Sequence, residues 1–207
     1  MSANHPLSPI HLQIMWDRLI AVVEEQAQTL IRTGFSTSVR EAGDVSAGVF
    51  DLEGNMLAQA VTGTPGHVNS MARSVIHFIR EFPVETMKPG DAYVTNDPWK
   101  GTGHLYDIVG TSPAFHNGKL VALFSCTTHV VDIGGLGQSP DGRQVFHEGL
   151  FLPLLPLMRE GKIDESVMRI VRANVREPVQ VEGDSHALIG CNVIGEQRLS
   201  HMMAEHG

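Results

Sequence analysis

The sequence predicts an α+β fold: a mixed or antiparallel sheet made of hairpins, packed by a long N-terminal helix and by further helices. Three observations predict it. A helical repeat of apolar residues opens the chain, two strand pairs are joined by Gly-bearing turns, and helix-start signals lie between and after them. Ser8-Pro9 is an N-cap followed by Pro at the first helical position, and Ile10, Ile14, Val22, Leu30 and Ile31 recur at roughly helical spacing until Gly34. Ala47-Gly48-Val49-Phe50, the turn Asp51-Leu52-Glu53-Gly54-Asn55 and Met56-Leu57-Ala58 then read as a hairpin. A Thr-Gly-Thr-Pro-Gly loop at residues 62–66 leads to Asn69 or Ser70 as the cap of a second helix. Met71, Val75, Ile79 and Phe82 mark its inner face, and Pro83 stops it.

Pro89-Gly90-Asp91 is a turn before a strand at residues 92–95, and the segment NDPWKGTG at 96–103 is too rich in breakers to be regular. Residues 107–115 and 120–131 are strand-like and flank His116-Asn117-Gly118-Lys119, whose Asn-Gly pair favours a two-residue type I′ turn. That turn, followed by regular pairing, sets His129 opposite Tyr106 and Val131 opposite His104. The Gly134-Gly135-Leu136-Gly137 loop, a Pro-punctuated apolar stretch, a helix starting near Asp164 and a last helix around 187–203 complete the chain. No internal repeat, low-complexity tract or linker divides it, so residues 1–207 read as a single domain.

Charge and composition exclude several roles. With 15 Lys+Arg against 23 Asp+Glu the formal net charge is −8, which disfavours nucleic acid as a partner. The longest apolar stretch, residues 150–158, is broken by Pro153 and Pro156, whereas a bilayer span takes ~20 residues, so no membrane helix is expected. The opening MSANHPLSP lacks the basic and apolar regions of a secretory signal, and Cys126 and Cys191 form no CxxC pair, so a reduced, cytoplasmic protein is expected. The chain's 11 His and 21 Gly point toward metal-ligand chemistry in tightly bent backbone.

His104 and Asp107 are three apart in a Gly-flanked loop, and His129 lies on the strand that the hairpin brings alongside. In a regular strand His104 and Asp107 would face opposite ways, so their convergence requires irregular backbone at 103–107, which Gly101 and Gly103 supply. Two imidazoles and a carboxylate suit Zn²⁺, Mn²⁺ or Fe²⁺, with an open position for a water acidified toward hydroxide. Spacing alone favours ordinary surface or hydrogen-bonded histidines and an Asp107 that caps a turn. Asp44 enters a strand, as either a fourth ligand or a turn residue. Asp132 lies beyond His129 on the opposite face and reads as a residue behind the ligands or in a turn. Arg176, in Asn174-Val175-Arg176-Glu177-Pro178, is either an anion clamp or a cation at a helix C-terminus. Cys126 faces away from His129, as a buried, inert thiol. Neither Gly118-Lys119-Leu120 nor Gly161-Lys162-Ile163 continues into the Ser or Thr of a Walker A loop, and the Gly134 region lacks a dinucleotide fingerprint, so ATP, if used, binds elsewhere.

Several motifs, in order, resemble the hydantoinase B/oxoprolinase family over about residues 9–203. They are Gly43-Asp44 through Phe50-Asp51, Asn96-Asp97-Pro98-Trp99, Gly103-His104-Leu105-Tyr106-Asp107, Phe115-His116-Asn117-Gly118 and His129-Val130-Val131-Asp132-Ile133-Gly134-Gly135. Phe146-His147-Glu148-Gly149-Leu150, Asn174-Val175-Arg176-Glu177-Pro178 and Gly183-Asp184 continue the series. The resemblance implies the second subunit, or second half, of an ATP-dependent amidohydrolase acting on cyclic amides such as hydantoins, 5-oxoproline and lactams. It implies a separate, actin-like A subunit that uses the ATP to phosphorylate the amide oxygen. It also implies one metal ion held by Asp44, His104, Asp107 and His129, a divalent Zn, Mn or Fe by the donor chemistry; Asp132 and Arg176 are candidates to stand behind them. Large subunits of acetone-type carboxylases are relatives, so a carboxylase subunit is the alternative enzyme; a truncated, non-catalytic scaffold is the alternative without chemistry. Two departures stand out: Tyr106 replaces a common Pro, and family chains are usually considerably longer, which implies a short or truncated form. A sheet edge left open by a short chain favours a homo- or hetero-oligomer.

Overall fold

The computed structural model describes residues 8–206; the leader reading of the first residues falls mostly outside them. Helix α1 (Pro9–Thr33) starts where Ser8 accepts a hydrogen bond from the His11 amide and closes at Gly34. A short helix α2 (Thr37–Arg40) leads into β1 (Val45–Phe50), which turns at Asp51 into β2 (Met56–Gln59). Helix α3 (Pro65–Glu81) follows, then β3 (Ala92–Thr95), β4 (Asp107–His116), β5 (Lys119–His129), β6 (Leu155–Arg159), β7 (Lys162–Ile163), α4 (Glu165–Asn174) and α5 (Pro178–His206). Every strand pair is antiparallel, in the order β2-β1-β5-β4-β3-β6-β7. The α+β class, the long first helix, the hairpins and the Asp164 cap of α4 are as expected. No helix among the described residues is long and apolar enough to cross a membrane.

Helices α1 and α5 cover one face of the sheet, and α3 covers the other. Val23, Ala27 and Leu30 of α1 pack with Leu188 and Cys191 of α5 on Val49, Phe124 and Cys126 of the strands. Met71, Val75 and Phe78 of α3 pack on Phe50, Val109 and Leu123. The alternation along β5 sorts its side chains: Phe124 and Cys126 look toward α5, whereas Leu123 and His129 look toward the α3 side. Cys126 is buried, its Sγ 3.4 Å from that of Cys191, both as free thiols, and burial pushes the Cys126 thiol up.

Three expectations are corrected. Helix α3 starts at Pro65, with Thr64 as its cap residue, because Pro fits the first helical position; Asn69 and Ser70 lie inside the helix. Helix α5 starts at Pro178, well before residue 187, for the same reason. The Asn117-Gly118 turn forms, with φ of 50° and 75°, but the regular register does not persist beyond it. Phe115 pairs with Leu120 while Ala114 pairs with Ala122, so Val121 is an extra residue and His129 pairs with Asp107 instead of Tyr106.

Glycine allows the closest helix–sheet approach: a Cβ on Gly195 of α5 would lie 2.6 Å from the Phe124 ring. We expect Gly195→Val to lower unfolding free energy by about 2 kcal/mol through overpacking, read as a shift of the urea midpoint at unchanged slope.

Candidate functional site

At one end of the sheet, on the α3 side, five side chains converge. Asp107 opens β4 and His129 closes β5 directly opposite it. Asp44 precedes β1 and its carbonyl accepts the His129 amide at 3.1 Å, which brings a third strand end alongside. His104 reaches the cluster from the bent segment before β4, where Gly103 has φ of 114° and the Asp107 amide turns back onto the His104 carbonyl at 3.3 Å. Asn96 holds this segment, donating from Nδ2 to the carbonyls of Leu105 and Leu150 at 2.8 and 2.9 Å. His67 enters from the first turn of α3.

Asp107 is the centre, with a side chain only 1% exposed. Its Oδ1 lies 3.0 Å from Nδ1 of His129, and its Oδ2 lies 3.0 Å from Nε2 of His67 and 3.1 Å from Nε2 of His104. Neither Oδ2 contact has hydrogen-bond geometry, so this buried oxygen has close imidazole neighbours but no hydrogen-bond partner. Asp44 Oδ1 is 3.6 Å from His67 and accepts the Thr64 hydroxyl at 2.6 Å, while Oδ2 is 3.9 Å from His129. Tyr106 stacks on His129 with centroids 5.4 Å apart and planes at 18°, and the ring centroid of His104 is 5.1 Å from that of His129. The Gln138 carboxamide sits 3.2 Å from His104 Nδ1, leaving Nε2 to face Asp107. Ligand atoms of His104, Asp107 and His129 lie within 4.8 Å of one another, a spread suited to a shared cation.

Burial opposes ionisation of Asp107, but the imidazoles of His104, His129 and His67 outweigh it and hold the carboxyl far below its usual range. Contact with Asp107 raises His104 above the ordinary imidazole value, against its own burial.

The expected residues separate into two groups. Asp44, His104, Asp107 and His129 meet. Asp132 and Arg176 form an anchor away from them: Arg176 pairs with Asp132 at 2.6 Å and donates to the carbonyls of Gly134 and Gly135, while Asp132 accepts the backbone amides of Gly134, Arg176 and Glu177. Among the described residues no hydrogen bond or ion pair joins this pair to the five clustered side chains, although Asp132 and Arg176 both act electrostatically on Tyr106, which stacks on His129. His67, missing from the sequence-derived set, has a side chain 8% exposed and a buried Nδ1 with no partner. The signal for it was Thr64-Pro65, which starts α3 early enough to put His67 in the first turn at the sheet end.

Taken together, the fold and this cluster define an α+β protein with a buried carboxylate ringed by imidazoles at the end of an antiparallel sheet. The chain belongs to the hydantoinase B/oxoprolinase family, whose profile matches residues 8–207. It is 29% identical over 204 residues to caprolactamase subunit beta of Pseudomonas jessenii, covering 97% of this chain and 35% of that one. It is 28% identical over 208 residues to 5-oxoprolinase of Dictyostelium discoideum, covering 97% of this chain and 16% of that one. The crystal structure of the ATP-dependent caprolactamase from Pseudomonas jessenii matches 98% of this chain and 35% of its own with a TM-score of 0.87. A nucleotide-free acetone carboxylase structure, 22% identical and also at TM-score 0.87 over 97% of this chain and 27% of its own, shares the fold. The chain thus spans about a third or less of the length of these proteins.

The opposed shifts of Asp107 and His104 set a pH profile for metal-free protein. A carboxylate held low stabilises the fold above its unfolded pKa of about 4, and that contribution is lost as pH falls below this; a raised imidazole stabilises below about 6.5 and loses this as pH rises. Chelator-treated chain should be most stable between these values, and Asp107→Asn should flatten both limbs of the urea-midpoint profile.

Proposed function

We propose that this chain is the metal-bearing B component of an ATP-dependent amidohydrolase that opens a cyclic amide, either a hydantoin, 5-oxoproline or a lactam. A separate hydantoinase A-like ATPase subunit phosphorylates the carbonyl oxygen first. Family membership and the likeness to a caprolactamase beta subunit support the reading. The observation that carries it is the buried Asp107 Oδ2, which lacks a hydrogen bond while two imidazole nitrogens face it at 3.0 and 3.1 Å. A buried anion so placed is costly unless a cation or proton lies among its neighbours.

The imidazole and carboxylate atoms of His104, Asp107 and His129, all within 4.8 Å of one another, suit a single divalent ion, Zn, Mn or Fe; Asp44, 3.9 Å from His129, would complete its holders, and His67 stands 3.0 Å from Asp107 on the α3 side. When bound, such an ion supplies Lewis acidity that makes water a better nucleophile near neutral pH. The protein's own contribution is orientation. Thr64 fixes Asp44 by its 2.6 Å hydrogen bond, Tyr106 fixes the His129 plane, and Gln138 fixes the His104 ring. Phosphorylation of the amide oxygen makes the ring carbon electrophilic: water adds there, the ring nitrogen leaves carrying a proton to give an acyl phosphate, and a second water then releases phosphate and the free carboxylate, so neither addition needs a strong side-chain base. ATP is assigned to the partner, in keeping with the lack of a Walker A motif in this sequence.

In this reading residues 1–207 work as one cytoplasmic hydantoinase B-like domain, assembled with the ATPase subunit or with further copies through the outer strands β2 and β7. We expect purified protein to carry one transition-metal ion per chain by elemental analysis. His104→Ala and His129→Ala should lose it while keeping the far-ultraviolet circular dichroism of the parent; full occupancy in those variants refutes the centre. Combined with its cognate ATPase subunit, ATP and a hydantoin or lactam, the chain should release ADP and ring-opened product. Bicarbonate-dependent consumption of a ketone would identify a carboxylase instead, and inactivity throughout would identify a scaffold.

A further inference from the structure

Two imidazoles bracket the carboxylates of Asp44 and Asp107, one from the sheet and one from α3. On the sheet side, Nδ1 of His129 lies 3.0 Å from Asp107 Oδ1 and 3.9 Å from Asp44 Oδ2. From α3, Nε2 of His67 lies 3.0 Å from Asp107 Oδ2 and 3.6 Å from Asp44 Oδ1. Each ring thus faces one oxygen of each acid, and the two rings face different oxygens. Thr64, at the start of the same helix, adds a hydroxyl hydrogen bond to Asp44 Oδ1 at 2.6 Å. The beginning of α3 therefore engages both acids at once.

This helix start is well held. The His67 amide donates to the Thr64 carbonyl at 3.0 Å, and the His67 carbonyl accepts the Ser70 hydroxyl at 3.0 Å. One turn further on, Met71 is buried against β1, where the Ser46 hydroxyl donates to its sulfur at 3.4 Å. A ring carried on such backbone keeps its place whether or not the acids around it move.

Three observations separate His67 from the residues assigned to the cation. The ligand atoms of His104, Asp107 and His129 lie within 4.8 Å of one another, and His67 is outside that set. Its side chain is 8% exposed, against 29% for His104 and 20% for His129, which makes it the most enclosed of the three rings. The hollow of about 390 Å³ that opens against His104, with Gln138 and Glu148 in its walls, is not lined by His67.

We propose that His67 is a positioning residue of the metal centre: it fixes the rotation of the Asp107 and Asp44 carboxylates in which they meet the ion, and makes no bond to the ion itself. The inference rests on the metal-bearing reading above and adds to it a residue that acts only through the acids it touches.

The test is metal binding by the 207-residue chain, measured by competition with a chromophoric chelator and by the visible absorption of Co²⁺-loaded protein. His67→Leu keeps the bulk and loses the nitrogen, so it should bind Zn²⁺ or Mn²⁺ about ten- to a hundredfold more weakly, the loss typical when a group that orients a ligand is removed. His67→Gln sets an amide nitrogen where Nε2 stands and should recover most of that loss, with Co²⁺ bands at the parent's positions. Parental affinity in His67→Leu overturns the inference, as does a Gln variant that binds no better than the Leu variant. Displaced Co²⁺ bands in His67→Gln overturn it by making His67 a ligand. Far-ultraviolet circular dichroism accompanies each variant, and His67→Ala replaces His67→Leu if the latter does not fold. If neither folds, His67→Gln must still match the parent in affinity and bands, and loss of either overturns the inference. A parent chain that binds no metal overturns the metal-bearing reading itself. One ion that is lost in His104→Ala and His129→Ala, yet held with parental affinity in His67→Leu, overturns the role of His67 alone.

Discussion

One extra residue in one strand determines which side chains meet. Without the bulge at Val121, regular pairing from the Asn117-Gly118 turn would set Asp107 beside Thr128, and His129 would point through the sheet, away from it. With the bulge, Asp107 and His129 become direct partners on the same face. That face is the one toward α3, whose first turn adds His67, and the neighbouring β1 brings Asp44 to the same end. The opposite face, cut by the same alternation, receives Phe124 and Cys126 and is filled by α1 and α5. Both faces are packed by helices, and a local irregularity at Val121 decides that His129 joins Asp107 on the face toward α3.

That face carries an electrostatic burden that the fold has to offset. A carboxylate as buried as Asp107 is strongly disfavoured as an ion in isolation. The surrounding imidazoles reverse the balance, which is why its carboxyl is held low despite burial. Removing a single imidazole would leave the remaining two in contact, whereas replacing Asp107 would leave three imidazoles with only Asp44 to balance them. The arrangement is therefore organised around the anion, and the histidines are its dependants.

Much of the framework was legible because its signals are short-range. Ser8-Pro9 begins α1, Asp164 caps α4, and Asn117-Gly118 makes a two-residue turn, each by chemistry confined to a few neighbouring residues. The bulge was not legible, since nothing in Leu120-Val121-Ala122 distinguishes the extra residue from its neighbours. The start of α3 was missed because Thr62 to Gly66 reads as a loop, and the last helix was placed only around residues 187–203. In the fold, Pro65 and Pro178 take first-turn positions, and Gly183 and Gly195 are where the rings of Phe35 and Phe124 press on the helix. Misplacing the α3 cap also hid His67. Asp44, His104, Asp107 and His129 were found by residue type, spacing and family resemblance, and they converge although the register used to join them was off by one. Asp132 was chosen for its place just beyond His129 and Arg176 as an anion clamp in its own motif; they anchor the glycine loop within electrostatic reach of Tyr106, which stacks on His129.

His104 differs from the other clustered side chains in how it is held. Asp107 and His129 sit on paired strand ends, and Asp44 and His67 adjoin a strand and a helix start, so regular backbone fixes all four. His104 stands on a bent segment and depends on braces: Asn96 on the Leu105 carbonyl, Glu148 on the Leu105 amide and Gln138 at its own ring. Two of these braces, Glu148 and Gln138, are also walls of the adjoining hollow. Whatever enters the hollow and engages either side chain acts on the orientation of His104 without touching Asp107. Of the five clustered side chains, His104 is therefore the one that shares its supports with the wall of the neighbouring cavity.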